Sequence, residues 1–171
     1  MTAAHFAAAL AIKSRVPNAP TAALMVGAFI PDFVWIGLAT AGIETTKREI
    51  FFDDWSHSFV SVVVLAMVYA FFFHKQGRDV TAAMRIVVFS HFLLDMPVHP
   101  KALALYPHSS IHFGFGLSAI PSIDYWLIQL AVVVSLLAVY ATSALRLKVP
   151  RNAIIASCVL VIGWHVVLIP S

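Results

Sequence analysis

Charge is what this chain lacks most: Asp, Glu, Lys and Arg make up 11% of its 171 residues, less than half the roughly 25% of an ordinary soluble domain. With 61% of residues hydrophobic and a mean hydropathy of +0.90, a water-soluble fold of this size is excluded, because a small domain has too much surface to hide that much apolar area. Cysteine is nearly absent too. Cys158 stands alone in an apolar run, which excludes an intrachain disulfide and reads as a small buried apolar side chain. Basic runs, an RNA-recognition signature and zinc-finger spacing are all missing, so the net charge of +3 is no nucleic-acid signal. Long linkers, low-complexity tracts and internal repeats are missing as well, so a single domain over 1–171 is expected. The N-terminal apolar stretch precedes Lys13 and Arg15, the reverse of a signal peptide's order.

What is present is a succession of apolar segments. A span needs about 20 residues. Residues 20–42 suffice but are interrupted by Pro31-Asp32; 56–73, 80–96, 123–145 and 152–169 read as further spans. Residues 3–12 are helical in composition but too short to cross, and composition leaves open whether they are re-entrant or at the surface. The expected fold is all-α: a polytopic transmembrane helical bundle of about five spans plus a short N-terminal helix, with the motif-bearing part in 1–116 and a C-terminal hairpin in 123–169. Loops at 13–19, 74–85 and 146–151 carry Lys13, Arg15, Lys75, Arg78, Arg85, Arg146, Lys148 and Arg151, against Lys47, Arg48 and Lys101 opposite. The positive-inside rule makes the first side cytoplasmic.

Titratable groups at membrane depth are costly and read as functional. His5, Asp32, His57, His91 and Asp95 qualify. His91 lies roughly 20 Å beyond Arg78 at 1.5 Å per helical residue, and Asp95 one turn further; Asp32 lies about 18 Å past Pro20 and His5 about 12 Å before Lys13. All five reach the outer half of the bilayer. His91 and Asp95, at i and i+4, share one helix face, and imidazole with carboxylate suits zinc, iron or manganese. Pro97 ends that helix. A lone intramembrane histidine can equally donate to a backbone carbonyl of a neighbouring helix. His74, beside Lys75, reads as solvated, and His165 as an interhelical or cofactor-side group. The Pro-, His- and Gly-rich connection 97–122 is long enough to line a site, with His99, His108 and His112 as outer-shell or substrate-binding groups. Glu44, Glu49, Asp53 and Asp54, with Lys47 and Arg48, read as a solvated interfacial surface.

Gly27-Ala-Phe-Ile-Pro31-Asp32 resembles the G-x-x-x-P-D element of the membrane-bound metal-dependent hydrolases, also called LexA-binding, inner-membrane-associated hydrolases. Ser56-His57-Ser58 resembles their T-H-S element. Ser90-His91-Phe-Leu-Leu-Asp95, with Pro97, Pro100 and Tyr106-Pro107-His108-Ser109 after it, resembles their S-H-x-x-x-D helix and Pro-rich loop, and His5 matches an early histidine. The resemblance covers about residues 5–112 and extends remotely to zinc-dependent phospholipases C. The family often has His-Arg ahead of T-H-S, where this chain has Phe52-Asp53-Asp54-Trp55. The resemblance implies His5, Asp32, His57, His91 and Asp95 as metal ligands, and a bacterial inner-membrane location. The family's name implies a LexA partner, but the chain offers no sizeable cytoplasmic domain for one.

Three functions emerge as expectations. The first is a hydrolase acting on a lipid or lipid-linked (phospho)ester at the outer interface, with a divalent metal, zinc before manganese or iron, and with Asp32 or Asp95 as general base. The second is a non-catalytic membrane subunit, its small-residue faces at 3–11 and 81–83 docking on protein partners. The third is a haem- or ion-handling protein using His91 with His57 or His165.

Overall fold

A computed structural model describes residues 2–45, 52–99 and 102–169. Lys47, Arg48, Glu49, Pro100 and Lys101, expected in the outer loops, lie outside the described residues. Eight helices appear among the described residues: α1 (Thr2–Arg15), α2 (Thr21–Gly27), α3 (Ile30–Thr40), α4 (Asp54–His57), α5 (Phe59–Phe71), α6 (Arg78–Asp95), α7 (Ser122–Arg146) and α8 (Arg151–Val167). The connection after α6 adds a small antiparallel pair, β1 (Leu103–Ala104) and β2 (His112–Phe113).

The short N-terminal helix turns out to be the spine of the molecule. Alanine is the best helix former, and its small side chain lets neighbouring helices approach closely. One side of α1, through Ala9, joins a core of Leu24, Val62, Ala66, Met84, Val87 and Val88 from α2, α5 and α6. The other side, through Ala3, Ala4, Ala7 and Leu10, packs on Val133, Leu137 and Tyr140 of α7 and on Ile154 and Val161 of α8. At its C-terminal end the Lys13 ammonium donates to the carbonyls of Pro17 and Ala19 at 2.6 and 2.8 Å, where the helix dipole favours a cation.

The expectation of five spans is met only in part. Among the described residues α7 alone is long and apolar enough to cross a membrane, and α2 with α3 forms a second candidate, broken by a 50° bend. The segment 56–73 is shorter as a helix because Ser58 is extended (φ −64°, ψ 154°), which cuts His57 off from α5. The α6 helix carries Arg78, Asp79, Arg85 and Asp95, too many charges for a lipid-exposed span. Apolar surface is nonetheless widespread: Phe71, Phe72, Leu160 and Val167 are each more than 65% exposed.

The α2–α3 break positions two polar groups. Pro31 has no N–H and sits in the first turn of α3, a position proline favours. The bend sets Asp32 at a helix N-terminus and turns the Ala28 carbonyl toward α6, where His91 takes it. Past α6, the chain folds back over that helix end, with the amides of Phe115, Gly116, Leu117 and Ser118 donating to the carbonyls of Met96, His99, Pro97 and Val98.

Gly27 lies where α2 crosses α5 and α6. A Cβ there would stand 2.6 Å from Val87 Cγ1 and 2.9 Å from Tyr69 Cε1. Gly27→Ala is expected to cost about 1–3 kcal/mol through overpacking, read as a lower thermal midpoint in detergent; Gly37→Ala, inside α3 with open space around it, serves as the control and should leave the midpoint unchanged or raise it.

Candidate metal centre

Four elements deliver the titratable groups to one end of the bundle: α1 brings His5, α3 Asp32, α4 His57 and α6 both His91 and Asp95. His91 and Asp95 are one turn apart, and their Nε2 and Oδ2 atoms lie 3.1 Å apart. His5 Nε2 is 3.3 Å from Asp95 Oδ1, His57 Nε2 is 3.5 Å from Asp32 Oδ1, and His91 Nε2 is 3.7 Å from the same Asp32 oxygen. The rings of His5 and His91 stack at 4.1 Å. Two overlapping groups emerge that could hold a metal ion, His5–His91–Asp95 and Asp32–His57–His91, with His91 common to both. All five expected residues are therefore brought together. Asp32 alone is substantially open, its side chain 38% exposed.

The far nitrogens of two rings are already committed. A carbonyl can only accept, so the 2.8 Å contact between His91 Nδ1 and Ala28 O means that Nδ1 carries the proton and donates. His91 Nε2 is then a lone pair in the neutral ring. It is buried without a hydrogen-bond partner, yet it faces oxygens of Asp32 and Asp95. A lone pair set among carboxylate oxygens is repulsive unless a proton or a metal ion joins them. His57 is arranged alike. Ser56 Oγ lies 2.8 Å from Glu44 Oε2 and 2.8 Å from His57 Nδ1. The hydroxyl has one proton, the carboxylate is the stronger acceptor, and so His57 Nδ1–H donates to Ser56 Oγ.

The separations also fit. Ligand bonds of 2.0–2.1 Å in a tetrahedral zinc site place neighbouring donor atoms about 3.3 Å apart. The residues present thus suit a divalent ion in donor type and spacing. On the open side, Thr2, Trp35, Asp53 and His99 join His5, Asp32, His57 and Asp95 around a cavity of about 250 Å³.

Two expectations need correction. Glu44, Asp53 and Asp54 are not a solvated surface: they are 2%, 4% and 8% exposed. Glu44 accepts from the Ser56 amide and hydroxyl, and Asp54 accepts from the His108 amide at 2.9 Å. Loop carboxylates become buried here because α4 and the loop before β2 supply donors for them. His108 and His112 do not line the cavity; His108 stacks on Phe52 at 4.9 Å and exposed His112 turns to the Ser110 carbonyl. Of that trio only His99 reaches the site, 4.0 Å from Asp95. His165 takes the interhelical role of the two expected for it: the Trp126 indole donates to the His165 carbonyl and His165 Nε2 to the Trp126 carbonyl. Asp53, Glu44 and Trp35 are the site residues that sequence reasoning missed. Asp53 lies three residues before Ser56-His57, and that closeness to an expected ligand is the one sequence signal pointing to it.

No family model, curated protein or solved structure matches this chain.

Burial pushes the Asp53 carboxyl up to about 6, opposed by His57 and reinforced by Glu44 and Asp54. Because the folded state holds this proton more tightly than the unfolded chain, the contribution of this carboxyl to stability falls as pH rises from about 4 to about 6 and is level above that. In chelator, Asp53→Asn should remove that fall, gaining on the order of 2 kcal/mol over wild type at pH 8 relative to pH 4. Thermal midpoints across this pH range check it; parallel profiles for the two proteins would contradict it.

Proposed function

We propose that this chain is a membrane-embedded, metal-dependent hydrolase of lipid or lipid-linked phosphoesters, its ion held by His91, Asp95, Asp32, His57 and His5. The observation that carries the reading is the convergence of the His57 and His91 Nε2 atoms on carboxylate oxygens at 3.1–3.7 Å. A divalent ion held by these residues would supply Lewis-acid charge to a phosphoryl oxygen and lower the pKa of water, and zinc is favoured by the mixed nitrogen and oxygen donors.

The chain's own groups divide the remaining work. The Asp53 carboxylate lines the cavity without belonging to either ligand group, and it is placed to take a proton from attacking water. That role fits Asp53 better than Asp32 or Asp95, whose oxygens are turned to the histidines. His99, on the rim, has its imidazole pKa lowered by burial and offers a neutral ring to a leaving group. Asp32, the most open of the ligands, marks the side from which a substrate arrives. The cavity of about 250 Å³ is small beside ordinary ligand pockets of roughly 300–1,000 Å³, so it suits a head group whose tail stays outside.

The bilayer supplies that tail. Apolar side chains cover the exterior of α5, α7 and α8, more contiguous apolar surface than a soluble monomer exposes. The basic residues Arg15 and Arg78 flank a separate cavity at the opposite end of α1 and α6, which under the positive-inside rule sets the metal cluster toward the outer, non-cytoplasmic face. The resemblance of the G-x-x-x-P-D, T-H-S and S-H-x-x-x-D elements to the inner-membrane hydrolases points the same way. A docking-subunit role draws less support, because the small-residue face of α1 is consumed inside the chain. Haem draws less still, since His165 is held by Trp126 and the rings of His57 and His91 stand 5.2 Å apart.

Purified protein loaded with zinc should hydrolyse phospholipid or lipid-linked phosphoester in mixed micelles. His91→Ala and Asp53→Asn should each lower turnover by more than about 100-fold, the first by removing the charge stabilisation and the second by removing the base. Only His91→Ala should also lose the metal. Bound zinc with no phosphoester turnover would reject the hydrolase and keep the site.

A further inference from the structure

The buried Glu44 carboxylate has no role in binding the ion directly. It stands 2% exposed at the end of the segment after α3, and its partners belong to α4: the Ser56 amide at 2.9 Å on Oε1 and the Ser56 hydroxyl at 2.8 Å on Oε2. Burying a carboxylate is expensive. Two hydrogen bonds from one residue recover part of that cost. A neutral side chain could clamp the loop to α4 without it. What the charge adds lies beyond Ser56, whose oxygen is 2.8 Å from His57 Nδ1.

Resting on the metal-centre reading above, the geometry points to Glu44 as a positioning residue that acts through Ser56 on His57. The chain is carboxylate, hydroxyl, imidazole. Glu44 holds the Ser56 proton, which leaves the Ser56 oxygen as an acceptor toward His57. The His57 Nδ1–H is thereby fixed as a donor, and Nε2 is left as the lone pair facing Asp32. The negative charge behind the hydroxyl strengthens the pull on the Nδ1 proton and makes Nε2 a better donor to a cation. Metal-bound histidines characteristically give their other N–H to a carboxylate or carbonyl, which sets both tautomer and ring orientation. His91 meets this need through the Ala28 carbonyl. His57 meets it through a relay two residues long, ending on a charge.

A second possible acceptor sharpens the argument. Ser56 Oγ is also 3.0 Å from the Asp53 carbonyl, so the hydroxyl keeps a neutral outlet when the charge is removed. Glu44→Gln therefore preserves the clamp. The glutamine carbonyl accepts the Ser56 amide, its NH2 donates to Ser56 Oγ, and the Ser56 proton turns to Asp53. The fold survives while the charge behind His57 disappears.

The test uses the full chain in detergent. Zinc affinity is measured by chelator competition, and imidazole nitrogen spectra are recorded on metal-free protein labelled with 15N-histidine, with His57 assigned from its loss in His57→Gln. Glu44→Gln and Ser56→Ala should each weaken zinc by about 10–100-fold, Ser56→Thr should restore affinity to within about threefold, and the double variant should be no weaker than the weaker single. In the spectra the wild type should show His57 as the Nδ1–H form, Ser56→Ala a mixture of tautomers, and Glu44→Gln an Nδ1 resonance displaced toward a weaker hydrogen bond. Wild-type zinc affinity in folded Glu44→Gln overturns the relay, whatever happens to its melting temperature. A wild type that binds no zinc rejects the metal centre instead. The relay is then judged on the Nδ1 resonance alone: displacement in Glu44→Gln supports it, and an unchanged resonance overturns it.

Discussion

The arrangement of this molecule depends on one constraint: the outer nitrogens of two imidazoles are tied to acceptors, so their inner nitrogens are turned to carboxylates. Nothing in an apolar bundle stabilises such a juxtaposition by itself. His91 does act as an interhelical strut, its N–H donating to the Ala28 carbonyl; what sets the cluster apart is that Nε2 of the same ring faces carboxylates. Here the N–H groups of His91 and His57 point away from the cluster, to Ala28 and Ser56. The groups that remain could hold a metal ion between them, and the spacing accommodates one.

Each irregularity of the fold serves that constraint. The break between α2 and α3 turns the Ala28 carbonyl to His91 and brings Asp32 to a helix start. The extended Ser58 separates α4 from α5, so His57 can approach from the side rather than along a continuous helix. Pro97 stops α6 just past Asp95. The alanines of α1 let His5 reach the cluster from the centre of the bundle, because no larger side chain holds its neighbours away. Close packing at Gly27 ties this framework to α5 and α6.

Much of the site was legible in the sequence, for reasons of regular geometry. The i,i+4 pair His91–Asp95, the proline at 31 and the common depth of His5, His91 and Asp95 all derive from helical rise and periodicity. What escaped was governed by loops. Glu44, Asp53 and Asp54 sit in a charged stretch that periodicity assigns to solvent, and only the closure of α4 against the end of α3 buries them. His108 and His112 went astray for the same reason, since a two-residue strand pair decides which way their rings turn. The number of crossings was also less legible than the helices themselves. Hydropathy marks apolar segments, but α6 carries charges along its length, and Ser58 shortens α5.

The central claim is that one cation joins these side chains. X-ray absorption at the zinc edge, on zinc-loaded detergent-purified protein, tests it most directly. The account predicts a first shell of nitrogen and oxygen atoms at about 2.0–2.1 Å with the outer-shell scattering of at least two imidazoles, simplified to fewer imidazoles in His57→Ala. A spectrum of hydrated zinc without imidazole scattering would contradict it, and would leave the cluster as protonated histidines paired with carboxylates.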